Sequence, residues 1–341
     1  MKAPFPWFGG KRRVAHLVWA ALGDVPHYVE PFAGSLACLL ERPAYHEGAV
    51  ETVNDLDCFV ANFWRALAAD PALVARHASD PVNEADLFAR HMWLVNAGKA
   101  RIDKLNSDPH FYDAKVAGWW VWGQCAWIGS GWCSGTGPWV DDGQRPHLGN
   151  SGQGVKRKLP HLGNSGQGVN RKLPHLGNPG RGVNRQLPHL GVPGRGVAIE
   201  AYLSQLAVRL SRVRVCCGDW SRVVTDGATS HPRGGPVGVF LDPPYLADVR
   251  TEGLYSEDDG NLAHAVRDWA VSKGDDPRLR IVLAGYEPEH EEHVPATWRR
   301  VAYSAMRAYG TAKGKDTGNR HLERLWLSPG CVGEEQGSLF A

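Results

Sequence analysis

The tetrapeptide Asp242-Pro243-Pro244-Tyr245 is the stretch of this 341-residue chain best suited to chemistry. It follows an apolar run, residues 237–241, whose length and β-branched content predict a buried strand. Two prolines cannot continue a strand's hydrogen-bond ladder, so the chain must leave the sheet at the carboxyl end of that strand, where open α/β sheets bind ligands. The Asp242 carboxylate and the Pro243 carbonyl are acceptors there, and Tyr245 has a flat face. This set suits a planar base with an exocyclic amine; the plainer interpretation is a proline-rich turn.

A second strand end lies near the start of the chain. Residues 27–30 predict a strand, and the small-residue turn Pro31-Phe32-Ala33-Gly34-Ser35 follows it. We expect a helix through Leu36 and Leu40 after the turn. A tight turn at a helix amino end lets a ligand approach the backbone closely.

Asp55 follows the next predicted strand, residues 50–53, and lies 21 residues after Gly34. At about that separation, in dinucleotide-type sheets, an acid reaches a ribose hydroxyl. The alternative is that Asn54 or Asp55 only caps the next predicted helix, residues 59–67.

Asp219 and Trp220 come after a further predicted strand, residues 213–217, which a helix through residues 199–210 precedes. A carboxylate and an aromatic ring at a strand end can bind a planar ligand. They can equally be a helix cap and a core tryptophan.

The segment FPWFGGK, residues 5–11, opens the chain and leads into a predicted helix that ends at Gly23. A double glycine before a helix, Gly9 and Gly10, places backbone amides near an anion or another ligand. Without the other motifs, a simple loop-to-helix turn is the favoured interpretation of this segment.

Together these motifs resemble those of the amino-directed DNA methyltransferases with a DPPY motif, in particular the Dam-like (D12 class) adenine-N6 group. The tetrapeptide Asp242 to Tyr245 matches in full. The family's first motif, W-x-G-G-K, is matched at Trp7, Gly9, Gly10 and Lys11. Its P-F-x-G-x-G motif is matched at Pro31, Phe32 and Gly34, with Leu36 in place of the second glycine. The resemblance covers residues 5–70 and 199–328.

The resemblance implies a role for each matched residue. S-adenosylmethionine would lie against Trp7 and the Gly9-Gly10 turn, and against Pro31, Phe32 and Gly34. Asp55 would bind its ribose, Asp219 its adenine amine and Trp220 its ring, with Asp242 beside it. Lys11 would belong to the cofactor-binding set as well and would face the DNA. A flipped adenine would enter the pocket of the DPPY motif, because its amine cannot be reached within a duplex.

The middle of the chain has a different composition. Six tryptophans, Trp119, Trp120, Trp122, Trp127, Trp132 and Trp139, crowd among glycines. We expect most of them to form a small core of an inserted module, with one or two exposed for stacking at DNA. A helix through residues 87–94 is predicted before them.

A tandem repeat with a period of 14 residues, PHLGNSGQGVKRKL and its variants, occupies residues 146–197. Its glycine, proline and asparagine content favours turns or a flexible arm. No acid occurs between Asp142 and Glu200. Basic side chains there can follow a phosphate backbone by counterion release. The candidate DNA-binding residues, with Lys11, are Lys156, Arg157, Lys158, Arg171, Lys172, Arg181, Arg185 and Arg195. The repeated histidines have no partner residues nearby that would complete a metal site.

Composition narrows the class of protein. The net charge is +2, 43% of residues are hydrophobic, and no apolar run reaches the length of a membrane span. The first residues lack a secretory pattern, which predicts a cytoplasmic protein. The seven cysteines lack zinc-type spacing and are expected to be reduced thiols, and no metal site is expected.

The expected fold is α/β, a Rossmann-like, mostly parallel, doubly wound methyltransferase sheet with its last strand antiparallel. Residues 1–78 and 199–328 would form a discontinuous catalytic domain, 79–198 an inserted target-recognition region and 329–341 a disordered tail.

The expected function is adenine-N6 methylation of a specific sequence in double-stranded DNA, as in restriction–modification systems or phage-type modification. The alternatives are methylation of cytosine N4 or of an RNA base, and a non-catalytic DNA-binding protein. The oligomeric state is left open, and a monomer is compatible with the sequence.

Overall fold

The computed structural model describes residues 1–5, 7, 11–43, 48–108, 110–127, 132–133, 139–140, 147–148, 195–230, 234–244, 262–303 and 323–333. Seven strands in these ranges form one sheet: β1 His27–Glu30, β2 Val50–Asp55, β3 Val213–Cys217, β4 Val237–Leu241, β5 Leu279–Tyr286, β6 Arg299–Ala302 and β7 Glu323–Leu327. A separate antiparallel pair joins Trp139–Val140 to His147–Leu148.

The sheet has the order β3-β2-β1-β4-β5-β7-β6. All neighbours from β3 to β5 are parallel, and β7 runs antiparallel to both β5 and β6. This confirms a mostly parallel α/β sheet with an antiparallel last strand, an arrangement compatible with a Rossmann-like fold. The predicted bounds of β1 and β3 are confirmed without change.

The helices in the described ranges are α1 Ala15–Leu22, α2 Cys58–Ala69, α3 Pro71–Ala78, α4 Glu84–Trp93, α5 Lys99–Ile102, α6 Ala114–Ala126, α7 Arg195–Leu210, α8 Leu262–Lys273 and α9 Glu287–His290. A π-helical turn, Leu94–Gly98, joins α4 to α5. Short 3-10 turns occupy Lys11–Arg13, Leu39–Glu41, Asp103–Asn106 and Trp220–Val223. No helix of the described part is long and apolar enough to cross a membrane.

The prediction of a helix through Leu36 and Leu40, after the Pro31–Ser35 turn, is wrong. Only the short 3-10 turn Leu39–Glu41 forms there. Gly34 and Leu36 both have left-handed backbones, with φ of 45° and 57°. An α-helix needs negative φ at every residue, so it cannot start across these two positions. Leu36 has glycine-like geometry at the position where the related motif has its second glycine.

The tryptophans of α6 do not form a core of their own, which corrects the expectation of a separate inserted core. Trp120 is fully buried, and its ring lies 5.0 Å from Phe5 and 5.9 Å from Phe63 of α2. At the start of α6, the Asn62 side chain donates to the carbonyl of Asp113 and accepts from its backbone N–H, at 2.9 Å each. Since α6 packs on α2 and α3, residue 79 is not a boundary of the core.

The disordered tail predicted from residue 329 is wrong for its first part, 329–333. The Cys331 thiol is buried and donates to the carbonyl of Ile281 at 3.4 Å. The backbone N–H of Val332 donates to the carbonyl of Ala21 at 2.9 Å. The segment is therefore held against β5 and α1. Residues 334–341 lie outside the described ranges.

Candidate active site

The carboxyl ends of β1, β2, β3 and β4 lie side by side at one edge of the sheet. The strand order reverses at β1, which pairs with β2 on one side and with β4 on the other. An open α/β sheet has its ligand crevice at such a point, because the crossovers on either side go to opposite faces. The structure brings four of the sequence motifs to this edge.

Asp55, at the end of β2, connects three of the turns. Its Oδ2 accepts from the backbone N–H of Gly34 at 2.8 Å, and its Oδ1 accepts from that of Asp57 at 2.9 Å. Its carbonyl accepts from the N–H of Gly218 at 3.2 Å. Burial, followed by the neighbouring charge of Asp57, raises the pKa of Asp55 to about 7.

The predicted alternative, a cap formed by Asn54 or Asp55, assigns the wrong residue, since the cap of α2 is Asp57. The Asn54 side-chain amide instead donates to the carbonyls of Pro31 and Gly218, at 3.1 and 2.9 Å. Asn54 and Asp55 thus hold the turns after β1 and β3 together.

Gly34 lies between two tryptophans. The Trp64 indole N–H donates to its carbonyl at 3.1 Å. On the other side Trp7 lies so close that an added Cβ on Gly34 would come within 2.3 Å of Trp7 Nε1. The structure therefore brings Trp7 of the W-x-G-G-K motif against the turn that contains Gly34.

Asp219 and Trp220 are placed at the end of β3. Asp219 is exposed and caps the short turn Trp220–Val223, with Oδ1 accepting from the N–H of Ser221 at 2.9 Å. Trp220 is half-buried, and its ring is stacked with Phe32 at 6.2 Å between centroids. The cap predicted as the alternative is present, and the aromatic pair spans the ends of β1 and β3.

Lys11, which the resemblance expects to face DNA, contacts Asp242 of the DPPY motif directly. Its Nζ lies 2.9 Å from Asp242 Oδ1, and its side chain is only 7% exposed. Burial alone would lower the pKa of Lys11, but Asp242, Tyr303 and Glu323 outweigh it and raise the pKa. Burial raises the pKa of Asp242, and the charge of Lys11 opposes that shift. The ammonium group is therefore paired with the carboxylate of Asp242.

Glu30 is a site residue that the sequence reasoning missed. It ends β1, is 3% exposed, and accepts from the Tyr28 hydroxyl at 3.0 Å. Burial raises the pKa of Glu30 to about 8, and the charges of Asp242 and Asp55 add to the shift. The signal available in the sequence was an acid placed directly before the Pro31-Phe32 turn. Its burial is visible only in the structure, where all four residues of β1 are buried.

Other predicted site residues lie outside the described ranges: Gly9, Gly10, Tyr245, Lys156, Arg157, Lys158, Arg171, Lys172, Arg181 and Arg185. Arg195 is the first residue of α7. Pro243 is buried and Pro244 is half-buried directly after Asp242. Within the described part, no cluster of three or more His, Cys, Asp or Glu residues is arranged to hold a metal ion.

The edge therefore combines carboxylates of two kinds. Asp55 and Asp219 lie at the ends of β2 and β3, with the stacked rings of Phe32 and Trp220 beside them. Asp242 lies at the end of β4, paired with a buried cation. Neither the protein-family models nor the curated proteins with which the chain was compared give a match.

Proposed function

We propose that this protein is an S-adenosylmethionine-dependent DNA methyltransferase that modifies the N6 amine of adenine at a specific sequence. The observation that carries the proposal is the meeting of four motifs at one sheet edge. The turn containing Phe32 and Gly34, the acids Asp55 and Asp219, and Asp242-Pro243 come from separate parts of the chain. Their order along the chain and their positions at strand ends suit one cofactor and one planar base.

The chemistry of the residues at β1, β2 and β3 fits the cofactor. A carboxylate at a strand end accepts from ribose hydroxyls or from an adenine amine, and the rings of Phe32 and Trp220 suit the adenine face. Asp55 already accepts from the N–H groups of Gly34 and Asp57, so it orders the turn as well. The bound cofactor supplies the methyl group.

Asp242 and the carbonyl of Pro243 would accept the two hydrogens of the target amine. These bonds draw electron density toward the nitrogen lone pair and hold the amine in one orientation. Lys11 stabilises the ionised form of Asp242 and fixes one of its oxygens. The second oxygen of the carboxylate is then the one that faces the base. A buried carboxylate without that cation would tend to be protonated and would lose an acceptor.

The first experiment measures transfer of labelled methyl groups to duplex DNA by the purified full chain, followed by sequencing of the modified bases. Modified adenine at one short sequence is the expected product. Methylcytosine, or transfer only to RNA, would show one of the other amino-methyltransferase activities. DNA binding without stabilisation of the protein by adenosylmethionine would show a non-catalytic binding protein.

The second experiment separates the two kinds of carboxylate. Asp242→Ala should lower methyl transfer by about 10² to 10³ while adenosylmethionine affinity is largely kept, because its contact is made to the base. Asp219→Ala should weaken the cofactor, as measured by calorimetric titration. Asp55→Ala should also weaken cofactor binding. It removes in addition the two carboxylate oxygens that accept from the N–H groups of Gly34 and Asp57. Near-normal turnover of Asp242→Ala would contradict the catalytic assignment, and unchanged affinity in both other variants would leave those acids as structural residues.

A further inference from the structure

Two thiols from different halves of the chain meet beside the candidate cofactor site. Cys58 is the first residue of α2, and Cys217 is the last residue of β3. Their Sγ atoms lie 3.3 Å apart. The parallel ladder pairs Cys217 with Asp55, three residues before Cys58. The contact is therefore part of the framework of the sheet edge.

The two thiols differ in accessibility and acidity. Cys58 is half-buried, whereas Cys217 is 8% exposed. The hydrogen bond from Cys217 lowers the pKa of Cys58, although burial and the charge of Asp57 oppose it. The same bond, with burial, raises the pKa of Cys217. Cys58 also begins a 12-residue helix, whose amino end favours a thiolate. Cys58 is thus the more acidic and the more exposed thiol of the pair.

We propose that Cys58 and Cys217 form a reversible disulfide when the protein meets a peroxide. The Cys58 thiolate attacks one peroxide oxygen and the O–O bond breaks, which leaves a sulfenic acid on Cys58 and releases one water after protonation. The Cys217 sulfur then attacks the Cys58 sulfur, and the S–O bond breaks with release of a second water. Two thiols lose two electrons, and the peroxide gains them. A dithiol reductant reverses the reaction by thiol–disulfide exchange.

The geometry requires only a small movement for this bond. A disulfide has an S–S length of about 2.05 Å, so the sulfurs must approach by roughly 1.2 Å. In a reducing compartment such bonds are usually transient and redox-sensing rather than permanent. None of the seven cysteines, all of which lie in the described ranges, is in a disulfide in this structure.

The consequence for the cofactor rests on the proposed function. Gly218 follows Cys217. Its N–H donates to the carbonyl of Asp55, and its carbonyl accepts from the side-chain amide of Asn54. Asp57, which precedes Cys58, donates to Asp55. Drawing the two sulfurs together shifts both neighbours of Asp55 and the start of the Asp219-Trp220 turn. We expect the oxidised protein to bind adenosylmethionine several-fold more weakly, since displacements near 1 Å are costly in a preorganised site.

The first test treats the native full chain with hydrogen peroxide, blocks remaining thiols and identifies linked peptides by mass spectrometry. The expected result is a Cys58–Cys217 link that dithiothreitol removes. Cys217→Ser should stop at a Cys58 sulfenic acid that dimedone traps, and Cys58→Ser should give neither product. Cys216→Ser is the matched control, because this half-buried neighbour lies on the same strand, and it should form the link as the wild type does. Overoxidation of Cys58 without a link, or links only between molecules, would overturn the proposal.

The second test compares adenosylmethionine affinity of the reduced, oxidised and re-reduced protein. Weaker binding after oxidation, restored by reduction and absent in Cys217→Ser, supports the effect on the site. Equal affinity in the reduced and oxidised forms would overturn that effect. If the reduced protein does not bind adenosylmethionine at all, the proposed function fails, whereas the peptide link from the first test still decides the disulfide.

Discussion

Lys11 and Asp242 illustrate how a buried ion pair can set the protonation state of a candidate catalytic carboxylate. Taking either charge out of water alone is costly, and the 2.9 Å contact compensates only while both partners are present. Asp242 is the residue whose ionised form the proposed chemistry needs. Lys11 is therefore a positioning residue for Asp242, and its effect should be visible in the pH dependence of the reaction.

We predict that Lys11→Met lowers methyl transfer at pH 7 by about tenfold or more, because burial then raises the pKa of Asp242 without opposition. Raising the pH should restore part of the activity, so the acid limb of the kcat/KM profile moves to higher pH. Arg12→Met, at the exposed neighbouring cation that pairs with Glu41, should leave the profile in place. A Lys11→Met variant whose kcat/KM is reduced equally at every pH, with no shift of the profile, would contradict this role.

A second prediction at the residue scale concerns Glu30 and the pH dependence of the protein's stability. Its folded-state pKa of about 8 exceeds that of an unfolded Glu. Between those two values the folded protein holds the proton more tightly, so the free energy of unfolding falls as pH rises, by at most about 1.4 kcal/mol per pH unit. Asp55, raised to about 7, acts in the same direction.

Glu30→Gln should flatten that decline, since an amide can still accept from the Tyr28 hydroxyl but does not ionise. Urea unfolding at pH 5, 6.5 and 8 measures how the free energy of unfolding changes with pH in the wild type and the variant. Exposed Glu292→Gln is the control and should retain the wild-type slope. A wild type whose stability rises steadily from pH 5 to 8 would mean that Glu30 ionises without difficulty in the folded state.

At the scale of elements, α2 organises the molecule. Its first residue, Cys58, contacts β3, and its cap, Asp57, donates to Asp55 at the sheet edge. Trp64 bonds to Gly34, while Asn62 bonds to the start of α6. One helix therefore connects the candidate site to the tryptophan-rich helical layer.

We predict that Asn62→Ala destabilises the protein by about 2 kcal/mol, because it leaves the buried N–H of Asp113 without its partner and removes one of the two hydrogen bonds to the Asp113 carbonyl. Chemical denaturation measures the loss. Asn96→Ala, at an exposed amide with one local bond to Met92, is a matched control and should change stability by much less. Equal small effects of the two substitutions would show that α6 does not depend on this link.

At the scale of the whole molecule, the sheet is assembled from strands on both sides of the basic repeat. β2 and β3 pair directly although the repeat separates them in the chain. Residues 149–194 lie outside the described part and between the elements that pack together. The repeat can therefore be tested by deletion without cutting any described strand or helix.

Replacing residues 149–194 by a short Gly-Ser linker should leave the melting temperature and adenosylmethionine affinity nearly unchanged. DNA affinity should fall, and the slope of log affinity against log salt should flatten by about 0.9 for each phosphate contact removed. An unchanged salt slope would make the repeat a spacer. Failure to fold would make it a structural module.

The amino-acid sequence by itself determined the strands, the order of the motifs and the edge at which they would meet. Apolar runs such as residues 237–241 and punctuating turns such as Pro243-Pro244 act locally, and the carboxyl ends of parallel strands share one edge of a sheet. The bounds of β1 and β3 and the end of α1 at Gly23 follow from such signals, whereas the antiparallel last strand was expected only from the resemblance to the methyltransferase family.

Only the tertiary structure decided which side chains became partners. The Lys11–Asp242 ion pair, the Asn62–Asp113 bonds, the Cys58–Cys217 contact and the place of Trp120 in the common core each join residues distant in the chain. Their formation depends on how helices pack on the sheet, and packing arises from the summed burial of many residues rather than from any local pattern. For the same reason Glu30 was missed, because an acid becomes chemically unusual only when the surrounding elements bury it.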